Sequence, residues 1–294
     1  KAILRSQDRM HEIETWSENG SARQVRIDSK AATQVMLGRI ARVLWLVPSM
    51  DRLWIEGADG RRRFLDRMTL SFLPSHADNV LTYEKNMRER NRLLRDQVQD
   101  AHWYRAIEVQ MAEAGVKIWL AREEALMHIH NSQEHAETAF PTANLTLTNA
   151  ENIVRPRDVE GFSAVLAEYR GRDILAGRTL AGPHRDDLYG VFTAKNVPAK
   201  DSSTGEQKAL LISLILANGR ALKQQTGIPP ILLLDEVAAH LDAGRRAALY
   251  DEICALGAQA WMTGTGPELF VELGSRAQHL LVSDAGGKSQ VEFQ

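Results

Sequence analysis

An α/β fold with a long, mainly helical insertion is what this sequence predicts, and three observations carry that reading. Ile231, Leu232, Leu233 and Leu234 form an unbroken apolar run between Pro229-Pro230 and Asp235-Glu236, the pattern of a parallel strand buried on both faces. Ser203-Thr204-Gly205-Glu206 has the form of a capping box, and it opens a stretch whose Leu210, Leu211, Leu214, Ile215 and Leu222 recur at helical spacing until Gly227. Residues 57–177 are charged and mostly helix-periodic, which makes them a lobe inserted into a core formed by 1–56 and 178–294.

Taken in order, His11 to Trp16 alternates, Asn19-Gly20 offers a turn that tolerates positive φ, and Val25-Arg26-Ile27 alternates again, so the chain opens on a hairpin. A strand over Val43 to Val47 follows and stops at Pro48. Helical character begins at Arg61-Arg62-Arg63-Phe64-Leu65-Asp66 and continues through Tyr83 to Arg95. The stretch from Asp100 to about Glu137 carries Trp103, Ile107, Met111, Ala114 and Leu126 at roughly helical spacing, with Gly115 read as a break. Asn144 to Leu147 reads as a short strand and Val159 to Tyr169 as a helix. Gly182-Pro183-His184-Arg185-Asp186-Asp187 is a turn with four polar residues, held by Arg185 to Asp ion pairs or else serving as a charged loop near a nucleotide or lobe boundary. Leu249, Ile253 and Leu256 mark a helix, Gln259 to Thr263 a strand ending near Thr265, and Leu280 to Phe293 a last hairpin through the Asp284-Ala285-Gly286-Gly287 turn.

With 294 residues, 44% apolar and 25% charged, the chain can build a large core and about two domains. Its net charge of −2 gives no global basic excess, so any nucleic-acid surface must be a local patch. The longest apolar run, Ala209 to Ala217, is about half a membrane span, and no charged-then-apolar leader opens the sequence. The single cysteine, Cys254, excludes internal disulfides, fits a reducing cytoplasm, and sits in an apolar pattern that predicts a core position.

Chemistry concentrates at 203–242. Open α/β sheets bind ligands at the carboxyl ends of their strands, and a strand-end Asp followed by Glu suits a nucleotide hydrolase: Asp235 to hold Mg²⁺ and Glu236 to polarise the attacking water. A helix amino terminus with a Ser hydroxyl and a close-approach glycine, as at Ser203 and Gly205, can receive phosphate. The arginines of 61–67 and 88–95, among them Arg61, Arg62, Arg63, Arg88, Arg90 and Arg92, are candidate DNA-phosphate contacts or else solvated helix faces paired with acids. His128, His130 and His135 lack the spacing of a metal site.

S-x-G-x-Q at 203–207, the strand with Asp235-Glu236, and His240-Leu241-Asp242 resemble the signature, Walker B and D-loop of ABC-type ATPases. Adding GPHRDD at 182–187, with RRRFLD at 61–66 and YEKNMRERNRLL at 83–94 similar to a helical arm, the chain resembles the RecF family of bacterial DNA replication and repair proteins over nearly its whole length. That resemblance implies an ABC-type ATPase head, related to Rad50 and SMC heads, that forms an ATP-dependent homodimer on double-stranded and gapped DNA. It implies work with RecO and RecR to load RecA, weak DNA-stimulated ATPase activity in the full-length protein, and no membrane partner.

By motif, Asp235 coordinates Mg²⁺, Glu236 is the catalytic base, Ser203 and Gly205 touch the γ-phosphate of the ATP held by the other subunit, and Gln207 is a further ATP-binding residue. Asp242 stands at the dimer interface, and Thr265 takes the switch position where transporter ATPases carry His. GxxxxGK[ST] does not occur: Gly287-Lys288-Ser289 has only its ending, inside the terminal hairpin. The chain opens on Lys1, and the resemblance puts the phosphate loop upstream of it, so the present chain is expected to bind ATP weakly and to be inactive alone. The alternatives are a transporter nucleotide-binding subunit, which the insertion, Thr265 and GPHRDD oppose, and a non-hydrolysing SMC-like head.

Overall fold

The computed structural model describes residues 1–294 apart from 7, 8, 19, 150–152, 154, 240, 285 and 294. Asn19, His240 and Ala285, each named in a predicted turn or motif, therefore lie outside the described residues. The chain opens with β1 (Ala2–Ser6), β2 (Arg9–Trp16), β3 (Gln24–Ile27) and β4 (Lys30–Ala32), which form an antiparallel sheet in that order. The predicted hairpin is its middle pair, Ile13 facing Ile27. A short helix α1 (Gln34–Ile40) leads to β5 (Val43–Leu46).

Four helices and two strands follow: α2 (Ala58–Phe72), α3 (His76–Arg95), α4 (Ala101–Glu134), β6 (Ala143–Asn149), α5 (Val159–Ala176) and β7 (Asp186–Phe192). The α4 helix is unbroken at Gly115. A Cβ there would stand 2.4 Å from the Phe162 ring and 3.3 Å from that of Tyr83, so the glycine permits close helix packing rather than interrupting the helix. Strand β6 pairs antiparallel with β7 along its full length, which ties the end of the helical segment to the strand that follows it.

The rest comprises β8 (Val197–Pro198), α6 (Thr204–Thr226), β9 (Ile231–Leu234), α7 (Ala243–Leu256), β10 (Ala260–Met262), β11 (Leu280–Asp284) and β12 (Ser289–Phe293). Helix α6 has the predicted cap at both ends: the Ser203–Glu206 box is formed in both directions, and Gly227 closes it in the left-handed region. It is apolar on nearly all faces, and Leu210, Leu211, Leu214, Ile215 and Leu222 are each no more than 5% exposed. Burial of such side chains contributes about 1.5–3 kcal/mol each, so α6 is the axis of the main core. A second cluster, built on Tyr83, Met111, Ile118, Trp119, Phe162 and Leu166, holds α3, α4 and α5 together.

Strands β10, β9 and β5 lie side by side in that order, all parallel. Two expectations are corrected here. Leu232 and Leu234 face α6 and are buried, but Leu233 is 42% exposed and stands in register between Trp45 and Trp261, which are also exposed. Among the described residues only one face of this sheet is covered. Cys254, read as a core residue, projects from α7 into solvent, because Leu249, Ile253 and Leu256 take the buried stripe of that helix.

Candidate functional site

The carboxyl end of β9 is the centre of the site. Parallel pairing continues one step past the strand, Asp235 N–H donating to Leu46 O at 2.8 Å and Thr263 N–H to Leu234 O at 3.1 Å. Thr263 therefore stands opposite Asp235, as the Met262–Leu234 register requires. Its Oγ1 donates to Asp235 Oδ1 and accepts the Glu236 N–H at 3.2 Å. Both carboxylates are exposed.

Glu236 adopts φ of 50°, in the left-handed region where a side chain costs roughly 1–3 kcal/mol. Two contacts hold it there: Thr263 at its amide, and Lys208 Nζ, which donates to its carbonyl at 3.4 Å. Lys208 is 8% exposed and also pairs with Asp51 Oδ2 at 3.4 Å, in the turn after β5. One lysine thus joins the first turns of α6 to the bend that carries Glu236.

Sequence reasoning missed both Thr263 and Lys208. Thr263 could have been found from strand register, since it is the residue beside Asp235, whereas counting on from Gln259 lands on the exposed Thr265, which makes no hydrogen bond to Asp235 or Glu236 among the described residues. Lys208 carries no comparable signal in an otherwise apolar run.

At the amino end of α6, Ser203, Thr204 and Gly205 are exposed, and nothing lies within 4 Å of where a Cβ on Gly205 would stand. Ser203 N–H donates to Glu206 Oε2 at 2.9 Å, and Lys195 pairs with the same carboxylate. The Lys195 ammonium and then the Ser203 donors hold the Glu206 carboxyl well below the usual carboxylate range. Gln207, expected at the nucleotide, is turned inward: it is 3% exposed, and its Nε2 donates to the carbonyls of Lys200 and Ser202 at 3.2 and 2.9 Å. It shapes the loop before the helix and is not open to a ligand. Asp242 is exposed and caps α7 through the Arg245 N–H at 2.8 Å.

The arginines expected at DNA divide sharply. Arg90 is 0% exposed, so a phosphate cannot reach it. Its guanidinium donates to Glu108 at 3.0 Å, Asp173 at 2.6 Å, Thr179 at 2.9 Å and the Leu166 carbonyl at 2.8 Å. Arg61 forms a two-pronged pair with Asp187 at 2.7 and 2.9 Å, and Arg62 donates to Asp186 O at 2.7 Å. These two brace the 182–187 turn from α2. Arg63, Arg88 and Arg92 remain exposed beside Asp59, Glu84 and Asp96 respectively.

The 182–187 segment is the joint between the helices and β7. Asp186 receives Trp119 Nε1 at 2.7 Å, Arg122 at 3.2 Å and Arg155 at 3.1 Å, and Arg122 also grips Asp66 with two bonds. The expected Arg185 to Asp pairs are not among the described ion pairs; arginines from α2, α4 and the loop before α5 take their place. Gly182 has φ of 134°, and a Cβ there would meet the Tyr83 hydroxyl at 2.1 Å. His184 Nε2 lies 3.0 Å from Thr179 O, and its Nδ1 lies 2.8 Å from the Tyr83 hydroxyl. Burial, with Arg185, Arg62 and Arg122 nearby, pulls the His184 pKa down to about 4, so the ring is neutral at neutral pH.

No protein-family profile matches the chain. Among curated proteins, the DNA replication and repair protein RecF of Brucella suis is 50% identical over 281 residues, covering 92% of this chain and 73% of that protein. RecF of Rhizobium meliloti is 45% identical over 275 residues, covering 91% and 74% respectively. Among solved structures, the recombination mediator protein RecF-ATP of the RecFOR pathway superposes with a TM-score of 0.78 at 21% identity, over 99% of this chain and 79% of that one. The fold is that of an ABC-type ATPase head carrying a mainly helical insertion. No helix among the described residues is long and apolar enough to cross a membrane.

Proposed function

The chain belongs to the RecF family of DNA replication and repair proteins, and from that premise we propose that it is the larger part of an ATP-dependent DNA-binding head that closes as a homodimer on nucleotide. The observation that supports this most is the exposed Asp235–Glu236 pair at the carboxyl end of β9, with the backbone of Glu236 clamped by Thr263 and Lys208. In this reading 1–56 and 178–294 are the head and 57–177 is the arm, whose base is woven into the head by the β6–β7 pairing.

Asp235 fits a hard cation of the Mg²⁺ type. Thr263 occupies one carboxylate oxygen, the group is exposed, and no cluster of three acidic, His or Cys ligands occurs among the described residues. Such a cation would be held by this carboxylate together with phosphate oxygens and water. It would neutralise charge developing on the phosphates, while Glu236 accepts a proton from the water that attacks the terminal phosphate, giving ADP and inorganic phosphate. Ser203 and Gly205 are open on the same copy, and in a twofold dimer they would face the nucleotide of the twin, with Asp242 near the contact. RecO and RecR are the expected partners, with RecA loading at gapped DNA in the cytoplasm as the outcome. Membership of the family sets aside the transporter alternative.

The test is Glu236→Gln in the full-length protein. Turnover should fall about 100-fold, ATP should still bind, and the ATP-bound dimer should persist in size-exclusion chromatography. Hydrolysis at the wild-type rate would remove Glu236 from the mechanism.

A further inference from the structure

Behind the bend that carries Glu236 stands a third residue, and it comes from a distant part of the chain. Strand β5 runs parallel to β9 with Leu46 opposite Leu234, so the turn that follows β5 leaves the sheet beside Asp235 and Glu236. That turn, Pro48–Arg52, holds the Asp51 carboxylate 3.4 Å from Lys208 Nζ, and the same ammonium lies 3.4 Å from the Glu236 carbonyl. Among the described residues Asp51 is the one carboxylate that Lys208 meets. The segment around it is firmly seated. Met50, Leu53 and Trp54 are no more than 8% exposed, and a Cβ on Gly190 of β7 would stand 2.7 Å from the Trp54 ring. Arg61 of α2 reaches back to the Glu56 carbonyl while its other nitrogens hold Asp187 at 2.7 and 2.9 Å.

An ammonium set in the apolar run of α6 and only 8% exposed needs an opposite charge within reach. A lysine stem is flexible, so the ammonium goes where charge draws it. Asp51 draws it against the Glu236 carbonyl, and the Glu236 carboxylate stays open to solvent. Resting on the reading of Glu236 as the base, we propose that Asp51 is a positioning residue for the hydrolysis. Through Lys208 it keeps the Glu236 backbone in its left-handed bend, at φ of 50°, and so fixes where the carboxylate meets the attacking water. Two other roles are open to such a pair, ligation of the cation by Asp51 and plain neutralisation of a buried charge, and kinetics separates all three.

The experiment is a double-mutant cycle on ATP turnover by the full-length protein, with melting temperature measured alongside. Asp51→Asn should lower kcat about tenfold and leave KM for ATP within about twofold, the signature of an interaction that counts only in the transition state. Asp51→Glu, which keeps the charge, should recover most of the loss. Lys208→Met preserves length and suits an apolar helix, so the fold should tolerate it while kcat falls by a similar factor. In the double variant kcat should lie within about twofold of Lys208→Met alone, because a residue that acts through the lysine has nothing further to lose. Losses that multiply in the double variant overturn the proposal. A raised KM with kcat intact would make Asp51 a ligand of the cation or nucleotide, and a lower melting temperature with kcat intact would make the pair structural; either result overturns it as well. A Glu236→Gln protein that hydrolyses at the wild-type rate would instead bring down the reading of Glu236 as the base, and this inference with it.

Discussion

Two regions of this molecule concentrate charge and treat it in opposite ways. In the arm and its joint, Arg90 and Arg122 are 0% and 3% exposed, and carboxylates or carbonyls surround both. At the carboxyl end of β9, Asp235 and Glu236 face solvent, with one threonine and one lysine steadying them from behind. A buried ion must find partners inside the fold, and once it has them it is no longer available to anything else. An exposed carboxylate held at its backbone and at one oxygen keeps the other oxygen for a ligand. The difference separates charge that organises the protein from charge that can act.

The strongest way to break that contrast is Arg90→Ala. It strips Asp173 of its guanidinium and leaves Glu108 with Arg170 alone, and removing one member of a buried ion pair costs about 3–5 kcal/mol. Urea unfolding should register that loss, whereas Asp235→Asn, in the open region, should change stability by less than about 1 kcal/mol. Equal costs for the two substitutions would mean that the strand-end carboxylate is structural as well.

A smaller effect sharpens the same contrast through pH. His184 is enclosed in the joint with its pKa pulled down to about 4, while in the unfolded chain it titrates near the ordinary value of about 6.5. The unfolded chain therefore binds the proton first. The stability tied to this residue is fully present above about pH 6.5, declines as pH falls, and is gone by about pH 4. The total is on the order of 3 kcal/mol. The geometry agrees, since a neutral ring can donate from Nε2 to Thr179 O and accept the Tyr83 hydroxyl at Nδ1, an acceptance that protonation removes. In His184→Gln the fall in melting temperature between pH 6.5 and 4 should be shallower than in wild type. An identical fall would assign the acid sensitivity to other groups.

What the sequence revealed divides along the same line. The cap at Ser203–Glu206, the end of α6 at Gly227 and the apolar run before Asp235 are local features, set by residues a few positions apart, and each was readable. The fate of Arg90 was not, because its partners lie 18, 83 and 89 residues away and nothing local says that α3 turns this arginine inward. Gly115 read as a break for the same reason: Phe162, which needs the missing Cβ, belongs to a different helix. Local chemistry also gave the carboxylates of the site but not their supports. Lys208 acts through the bend after β9, and Thr263 through a strand pairing that only the register reveals.

The finest distinction lies within the open region, between Thr263 and Thr265. Thr263→Val keeps the shape of the side chain and removes both of its bonds, the one accepted from the Glu236 amide and the one given to Asp235. Water can reach both groups, so the fold should be little affected. Glu236, however, loses half of what holds its backbone in the left-handed region. Turnover of the full-length protein should fall about tenfold, equivalent to about 1.4 kcal/mol, with ATP affinity nearly unchanged and Thr263→Ser close to wild type. Thr265→Val, two positions on, should change turnover by less than about twofold. If the two valine variants exchanged places, the switch residue would be Thr265, where counting from Gln259 puts it, and the clamp on Glu236 would be incidental to catalysis.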